Sequence, residues 1–157
     1  MDSAYHFSAR LEDMDRGQVH RWLSEQSYWA EGRPRQTQDS AMDSSRNYGV
    51  FERSTGRQVA YARIVTDAVT FAWLCDVFVD PAARGHGVGK GLIAGVMADL
   101  EPLGLRRVLL ATADAHGLYE QYGFEPLADP ALFMVKPLPG SQGQNLTARS
   151  GNPSPPR

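Results

Sequence analysis

The stretch Asp76-Val77-Phe78-Val79-Asp80-Pro81-Ala82-Ala83-Arg84-Gly85-His86-Gly87-Val88-Gly89-Lys90-Gly91 carries a complete change of local rule. Up to it, Val69 to Asp80 alternates with a period of two. This places Val69, Phe71, Trp73, Cys75, Val77 and Val79 on one face and Leu74, Asp76 and Phe78 on the other, the pattern of a long strand. Pro81 lacks an amide donor and ends the ladder. Beyond it, Val88, Leu92, Ile93, Val96, Met97 and Leu100 recur at three and four residues, the stripe of an amphipathic helix lying on a sheet. A strand that passes through glycines into a helix sets the class as α/β.

Working outward, Tyr5 to Leu11 reads as a short strand. Asp15 to Gln26 reads as a helix with Val19, Trp22 and Leu23 on one face and Asp13 or Asp15 as its cap. The aromatic, Arg-bearing loop from Ser27 to Arg35 is broken by Gly32 and Pro34, and a polar helix over about Gln36 to Ser44 follows. Asn47 to Arg53 and Gln58 to Thr66 form a hairpin pair across Ser54-Thr55-Gly56. After the amphipathic helix come a buried strand, Arg107 to Thr112, and a short helix, Ala115 to Tyr122, stopped at Gly123. Phe124 to Leu127 and Leu132 to Lys136 supply final strand material. This order predicts one three-layer α/β/α domain over residues 1–137 with a central mixed, mostly antiparallel sheet. Residues 138–157 are rich in Pro, Gly and Ser, nearly devoid of apolar side chains, and expected to be a disordered tail.

Composition narrows the function classes. A chain of 157 residues, 42% hydrophobic, suits one domain with a genuine core. Sixteen Lys+Arg against eighteen Asp+Glu leave no broad basic surface, so a nucleic-acid partner is not expected. No apolar run reaches the roughly 18 residues of a membrane span, and Met1-Asp2-Ser3-Ala4-Tyr5-His6 offers neither a basic start nor an apolar signal core. Cytoplasmic residence without membrane association is the expectation. The single cysteine, Cys75, and four scattered histidines show no metal-ligand spacing, so no metal is expected.

The loop Arg84 to Gly91 lies at a strand-to-helix junction. There the first helical amides lack intrahelical acceptors and point outward with the positive end of the helix dipole, a site suited to a pyrophosphate. Alternate glycines let the anion approach the backbone. The spacing excludes two familiar phosphate motifs. Between Gly85 and Gly89-Lys90 the loop is one residue short of a P-loop, and Gly91 stands where Ser or Thr would hold magnesium. A dinucleotide fingerprint begun at Gly85 or Gly87 meets Lys90 or Leu92 at its last glycine.

Arg84, Gly87 and Gly89 do match the Arg/Gln-x-x-Gly-x-Gly/Ala loop of the GNAT N-acetyltransferases. A strand ending Asp76-Val77-Phe78-Val79-Asp80-Pro81 precedes it. Leu118-Tyr119-Glu120-Gln121-Tyr122-Gly123-Phe124 follows the next strand and is similar to that family's Tyr-x-x-x-Gly-Phe segment. From about Tyr5 to Lys136 the chain therefore resembles the GNAT superfamily. The resemblance implies an acetyl-CoA-dependent N-acyltransferase that moves an acetyl group to a primary amine of a small molecule, amino acid or peptide by direct attack in a ternary complex. An acyl-CoA-binding sensor or regulatory module without turnover is the alternative, and a homodimer is consistent with the resemblance.

By the same resemblance, acetyl-CoA would rest its pyrophosphate on Arg84, Gly85, His86, Gly87, Val88, Gly89 and Lys90. Its pantetheine arm would pair with the backbone of Val77, Phe78 and Val79 as an added strand. An amide near Phe78 would serve the oxyanion and Tyr119 the leaving thiolate. Thr112 stands seven residues before Tyr119, where the family often has an Asn that holds the cofactor arm. Asp76 is the acidic candidate for relieving the amine of its proton or binding its ammonium form. An ordinary Asp, with pKa near ~3.9, is a weak base for an amine near ~10.4. His116 has a better ordinary pKa for that work, but its place at a helix start favours a capping or surface role. Tyr28, Trp29, Arg33 and Trp73 are the candidate acceptor-binding residues, the aromatics as an apolar wall and Arg33 as a clamp for a carboxylate or phosphate.

Overall fold

A computed structural model describes residues 1–140 of the chain. Five strands, β1 (Tyr5–Ser8), β2 (Arg46–Glu52), β3 (Gln58–Thr66), β4 (Phe71–Val79) and β5 (Arg107–Leu109), form one sheet in sequential order. The first four are antiparallel and β5 runs parallel to β4, so the sheet is mixed and mostly antiparallel. Helices α1 (Arg16–Gln26) and α2 (Arg35–Asp43) cover one face, and α3 (Val88–Leu100) covers the other, with α4 (His116–Glu120) packed beside α3. This is the three-layer α/β arrangement the element order predicts.

Each face buries its own core. Val50, Ala62, Ile64 and Leu74 meet Leu92, Ile93 and Val96 of α3 on one side. Tyr61 and Phe78 meet Val19, Trp22, Leu23 and Met42 on the other. The Trp22 and Phe78 rings stack at 5.4 Å and pin α1 to β4. Asp15 caps α1, its carboxylate accepting from the Gln18 amide. β3 has its predicted bounds; β1 is shorter, because the chain turns at Leu11–Asp13 and Ser8 Oγ donates to Asp13 at 2.6 Å. The β3–β4 turn is gathered by Asp67, whose carboxylate accepts from the amides of Val69, Thr70 and Phe71, so β4 starts at Phe71 and not at Val69.

Two expectations need correction. β4 does not alternate without interruption: Asp76 has a φ of 53°, and the register against β3 shifts between Tyr61 and Arg63. This bulge puts one extra residue into β4. Cys75 pairs with Arg63 and Phe78 with Tyr61, so Trp73, Cys75, Asp76 and Phe78 turn towards α1 and α2, while Leu74, Val77 and Val79 turn towards α3. Second, Phe124 to Leu127 and Leu132 to Lys136 are not strands here. They join no ladder among the described residues, and Pro130–Leu132 forms a short 3-10 turn between them. β5 likewise stops at Leu109, short of Thr112, because it meets β4 on one edge only. Most of the expected tail, residues 141–157, lies outside the described residues.

Candidate active site

The sheet opens where the sequence changes rule. β4 and β5 pair only over Phe71–Trp73 and Arg107–Leu109; from Leu74 to Val79 that edge of β4 pairs with no strand among the described residues. Unpaired backbone of this kind can accept an extended ligand as an added strand. Arg84 leans back over it, Nε donating to the Val79 carbonyl at 3.3 Å.

The glycine loop sits at the end of this opening. Gly87 is the residue before α3 and has a φ of 72°, and Gly85 has a φ of 82°, conformations that favour glycine. The first helical bond runs from the Gly91 amide to the Gly87 carbonyl, leaving the amides of Val88, Gly89 and Lys90 without helical acceptors. Nothing crowds Gly85, whereas the Met1 side chain lies against Gly91. The loop is held from both sides: the Asp2 amide donates to the His86 carbonyl at 3.2 Å, and Tyr122 Oη donates to the Lys90 carbonyl at 2.7 Å. The structure thus brings Arg84 to Lys90 and Val77 to Val79 to one place. Their free amides and open backbone fit a pyrophosphate carried on an extended arm.

Tyr119 lies on α4, buried, its ring packed edge-on against Phe124 at 5.8 Å. Burial, with smaller contributions from Tyr28 and Asp114, pushes its pKa up to about 12, so it stays a proton-bearing donor at any physiological pH. Thr112 Oγ1 accepts from the Ala115 amide at 3.0 Å and shapes the turn into α4; its own proton remains available to donate. Tyr28 reaches across from the α1–α2 loop, its Oη accepting from the Ala113 amide at 3.1 Å, so the loop expected to bind the acceptor touches the segment that leads to Tyr119.

On the α1/α2 side of the bulge lies a charged cluster that sequence reading saw only in part. Arg33 grips Asp76 with both terminal nitrogens, at 2.7 and 3.3 Å, and Arg63 Nε donates to the same carboxylate at 2.9 Å. Arg33 also donates to Gln38 Oε1 at 2.7 Å, and Arg63 to Ser45 Oγ at 3.1 Å. Burial alone would raise the Asp76 pKa; the Arg63 and Arg33 guanidiniums outweigh it and hold the carboxyl below its usual range. Asp76 is therefore a fixed anion, and Arg33 is a buried ion-pair partner, not the solvent-facing clamp the loop suggested. Arg63 and Gln38 were missed, although a lone arginine in the apolar run of β3 was a usable signal. Trp29 packs edge-on to Tyr28 at 5.0 Å with its indole N–H buried and unpartnered, and Trp73 is half-buried on the same side of β4. Among the described residues, no group of three or more His, Cys, Asp or Glu could hold a metal ion.

Comparison with known proteins bears on this geometry. A crystal structure of a Xanthomonas campestris pv. campestris protein assigned to the GNAT family superposes with a TM-score of 0.81 at 45% identity, covering 88% of this chain and 96% of that one. Rv2747 from Mycobacterium tuberculosis, crystallised with CoA, shares the fold at 19% identity with a TM-score of 0.62, covering 75% of this chain and 70% of that one. Among curated proteins, serotonin N-acetyltransferase 2 of rice is 38% identical over 45% of this chain and 36% of its own length. The chain spans between 36% and 64% of the curated relatives it matches. Residues 16–124, from the start of α1 through the Tyr119 segment, match the model of the acetyltransferase (GNAT) family. The chain belongs to the GNAT family of acetyltransferases.

Proposed function

We propose that this protein transfers an acetyl group from acetyl-CoA to a primary amine of a small molecule, amino acid or peptide by direct attack in a ternary complex. The observation that carries the reading is the buried Tyr119 side chain, its phenol kept protonated, on the segment that follows the open β4 edge and its glycine loop. Acetyl-CoA, when bound, supplies an acyl group activated as a thioester. The chain supplies the rest: amides of Val88, Gly89 and Lys90 for the pyrophosphate, backbone of Val77 to Val79 for the extended arm, and a strand amide near Phe78 for the oxyanion.

Tyr119 stabilises the departing thiolate by hydrogen bonding. A phenol raised to about 12 is a weaker acid than a thiol near ~8.5, so complete proton donation would run uphill. Asp76 is unsuited to act as general base, since two guanidiniums occupy its carboxylate and depress its pKa. Its work is to fix the bulge that turns the end of β4, with the amine losing its proton to water. The cluster carries two cations against one anion, which favours an acceptor amine bearing a carboxylate over a polyamine.

Thiol release from acetyl-CoA, measured across amino acids, peptides, polyamines and aminoglycosides, tests the reading. Acidic or zwitterionic acceptors are expected to outperform polyamines. Tyr119→Phe, which keeps the ring packing, should lower kcat about 100-fold with CoA affinity unchanged. Unchanged turnover in that variant would remove Tyr119 from the chemistry.

A further inference from the structure

One loop joins both lips of the opening in the sheet. β4 and β5 stop pairing after Trp73 and Leu109, and the loop between α1 and α2 crosses the gap beyond them. Arg33 ties that loop to β4 through its buried ion pair with Asp76. Tyr28 ties it to the continuation of β5, its Oη accepting from the Ala113 amide at 3.1 Å. Between these two ties the backbone is fixed. Ser27 Oγ donates to the Leu23 carbonyl at 2.7 Å and accepts from the Ala30 amide at 3.1 Å. The Gly32 amide donates to the Ser24 carbonyl at 3.0 Å, and His20 Nε2 donates to the Arg33 carbonyl at 2.8 Å.

Tyr28 is the part of this bridge left to meet a ligand. Ser27, Ala30 and Arg33 are buried, whereas Tyr28 keeps 45% of its surface exposed. Its ring stands edge-on to Trp29 at 5.0 Å, and Trp29 packs on the core beneath α1 and α2, so the ring has a solid backing. It also lies close enough to Tyr119 to help raise that phenol's pKa. An extended arm that starts at the glycine loop and follows Val79 to Val77 reaches the Asp76 bulge after roughly 10 Å, at about 3.3 Å per residue. There it meets the bridge. Tyr119, assigned above to the thiolate, marks the sulfur end of such an arm, and the group carried past the sulfur towards α1 and α2 is the acyl group.

Given the acetyl-CoA reading above, on which this rests, we infer that Tyr28 sets the length of acyl group the site accepts. Its ring, held across the gap from the α1–α2 loop to Ala113, is a stop that leaves room for an acetyl group and not for a longer chain. An acetyl group ends in one methyl, which the exposed part of the ring can cover. Each further methylene must push the ring aside, breaking its bond to Ala113 and its contact with Trp29, and overfilling a backed apolar contact is costly. With alanine at position 28 the obstruction is gone, and a longer chain gains the apolar surface of Trp29 instead.

Calorimetric titration of the full chain with CoA, acetyl-CoA, butanoyl-CoA and octanoyl-CoA, with no acceptor amine present, tests this, each affinity being read relative to that of CoA. In the wild type, acetyl-CoA is expected to match or exceed CoA, and octanoyl-CoA to fall at least about 10-fold below it. Tyr28→Ala should bring octanoyl-CoA back to the level of CoA or above. Tyr28→Phe keeps the ring and loses only the hydroxyl, so it should retain the wild-type order. Equal relative affinities for acetyl-CoA and octanoyl-CoA in the wild type, or an order unmoved by Tyr28→Ala, overturn the inference while CoA binding stands. An alanine-like order in Tyr28→Phe also overturns it, since the ring would then not be the stop. Absence of CoA binding to the wild type is a different failure: it would overturn the acetyl-CoA reading, and the role of Tyr28 with it.

Discussion

Asp76 takes a left-handed backbone conformation, with a φ of 53°, and its carboxylate is buried between Arg33 and Arg63. Asn is among the few residues that adopt that conformation readily, so Asp76→Asn tests the charge without disturbing the bulge. It leaves two buried guanidiniums facing no anion, and a loss of about 3–5 kcal/mol in unfolding free energy is expected by urea titration. The pH dependence has a fixed sign. Because the folded pKa lies below the unfolded value near ~3.9, the unfolded chain binds more protons in the window beneath it. The stabilisation from Asp76 is therefore complete above about pH 4 and drains away on further acidification. Stability profiles of wild type and Asp76→Asn should converge at low pH; parallel profiles would mean that the ion pairs contribute nothing.

At the scale of elements, legibility follows how local the determining force is. α1 was readable because its cap Asp15 and its apolar stripe lie within a dozen residues, and β3 because its largely apolar run from Val59 to Val65 lies within one segment bounded by turn residues. The bulge in β4 was not. Its cause is the meeting of Asp76 with Arg33 and Arg63, 43 and 13 residues away, and alternation counted along one strand is blind to that. The same holds for Arg33, which read as a substrate clamp until Asp76 was placed beside it. Helix α3 offers a test of packing against propensity. A Cβ on Gly95 would overlap the Phe7 ring of β1. Gly95→Ala gains about 1 kcal/mol in helix propensity but overpacks the α3–β1 contact at a cost of about 1–3 kcal/mol, so net destabilisation is expected. In a Phe7→Leu background the ring is gone and the same substitution should stabilise. A double-mutant cycle by chemical denaturation reads that change of sign directly.

For the molecule as a whole, the layers and the place of the glycine loop at the start of α3 were legible because both follow from patterns within one chain. The closing strands were misjudged because a strand needs a neighbour that sequence periodicity does not name, and here 124–127 and 132–136 find none among the described residues. The glycine loop allows a molecular-scale test that needs no acceptor. Ligand binding to the native state adds RT ln(1 + [L]/Kd), about 2.7 kcal/mol at one hundred times Kd, which for a domain of this length is a Tm rise of roughly 5–10 °C. CoA should produce that rise in the wild-type chain. Gly87→Ala places a side chain at a φ of 72° against the Met1 backbone, so it should lower the ligand-free stability by about 1–2 kcal/mol through strain. If the loop amides hold the pyrophosphate, the CoA-induced rise should shrink as well. Loss of basal stability with an undiminished CoA shift would separate the two effects: the loop would then be a turn that merely starts α3, and the anion would have to be held elsewhere along the open β4 edge.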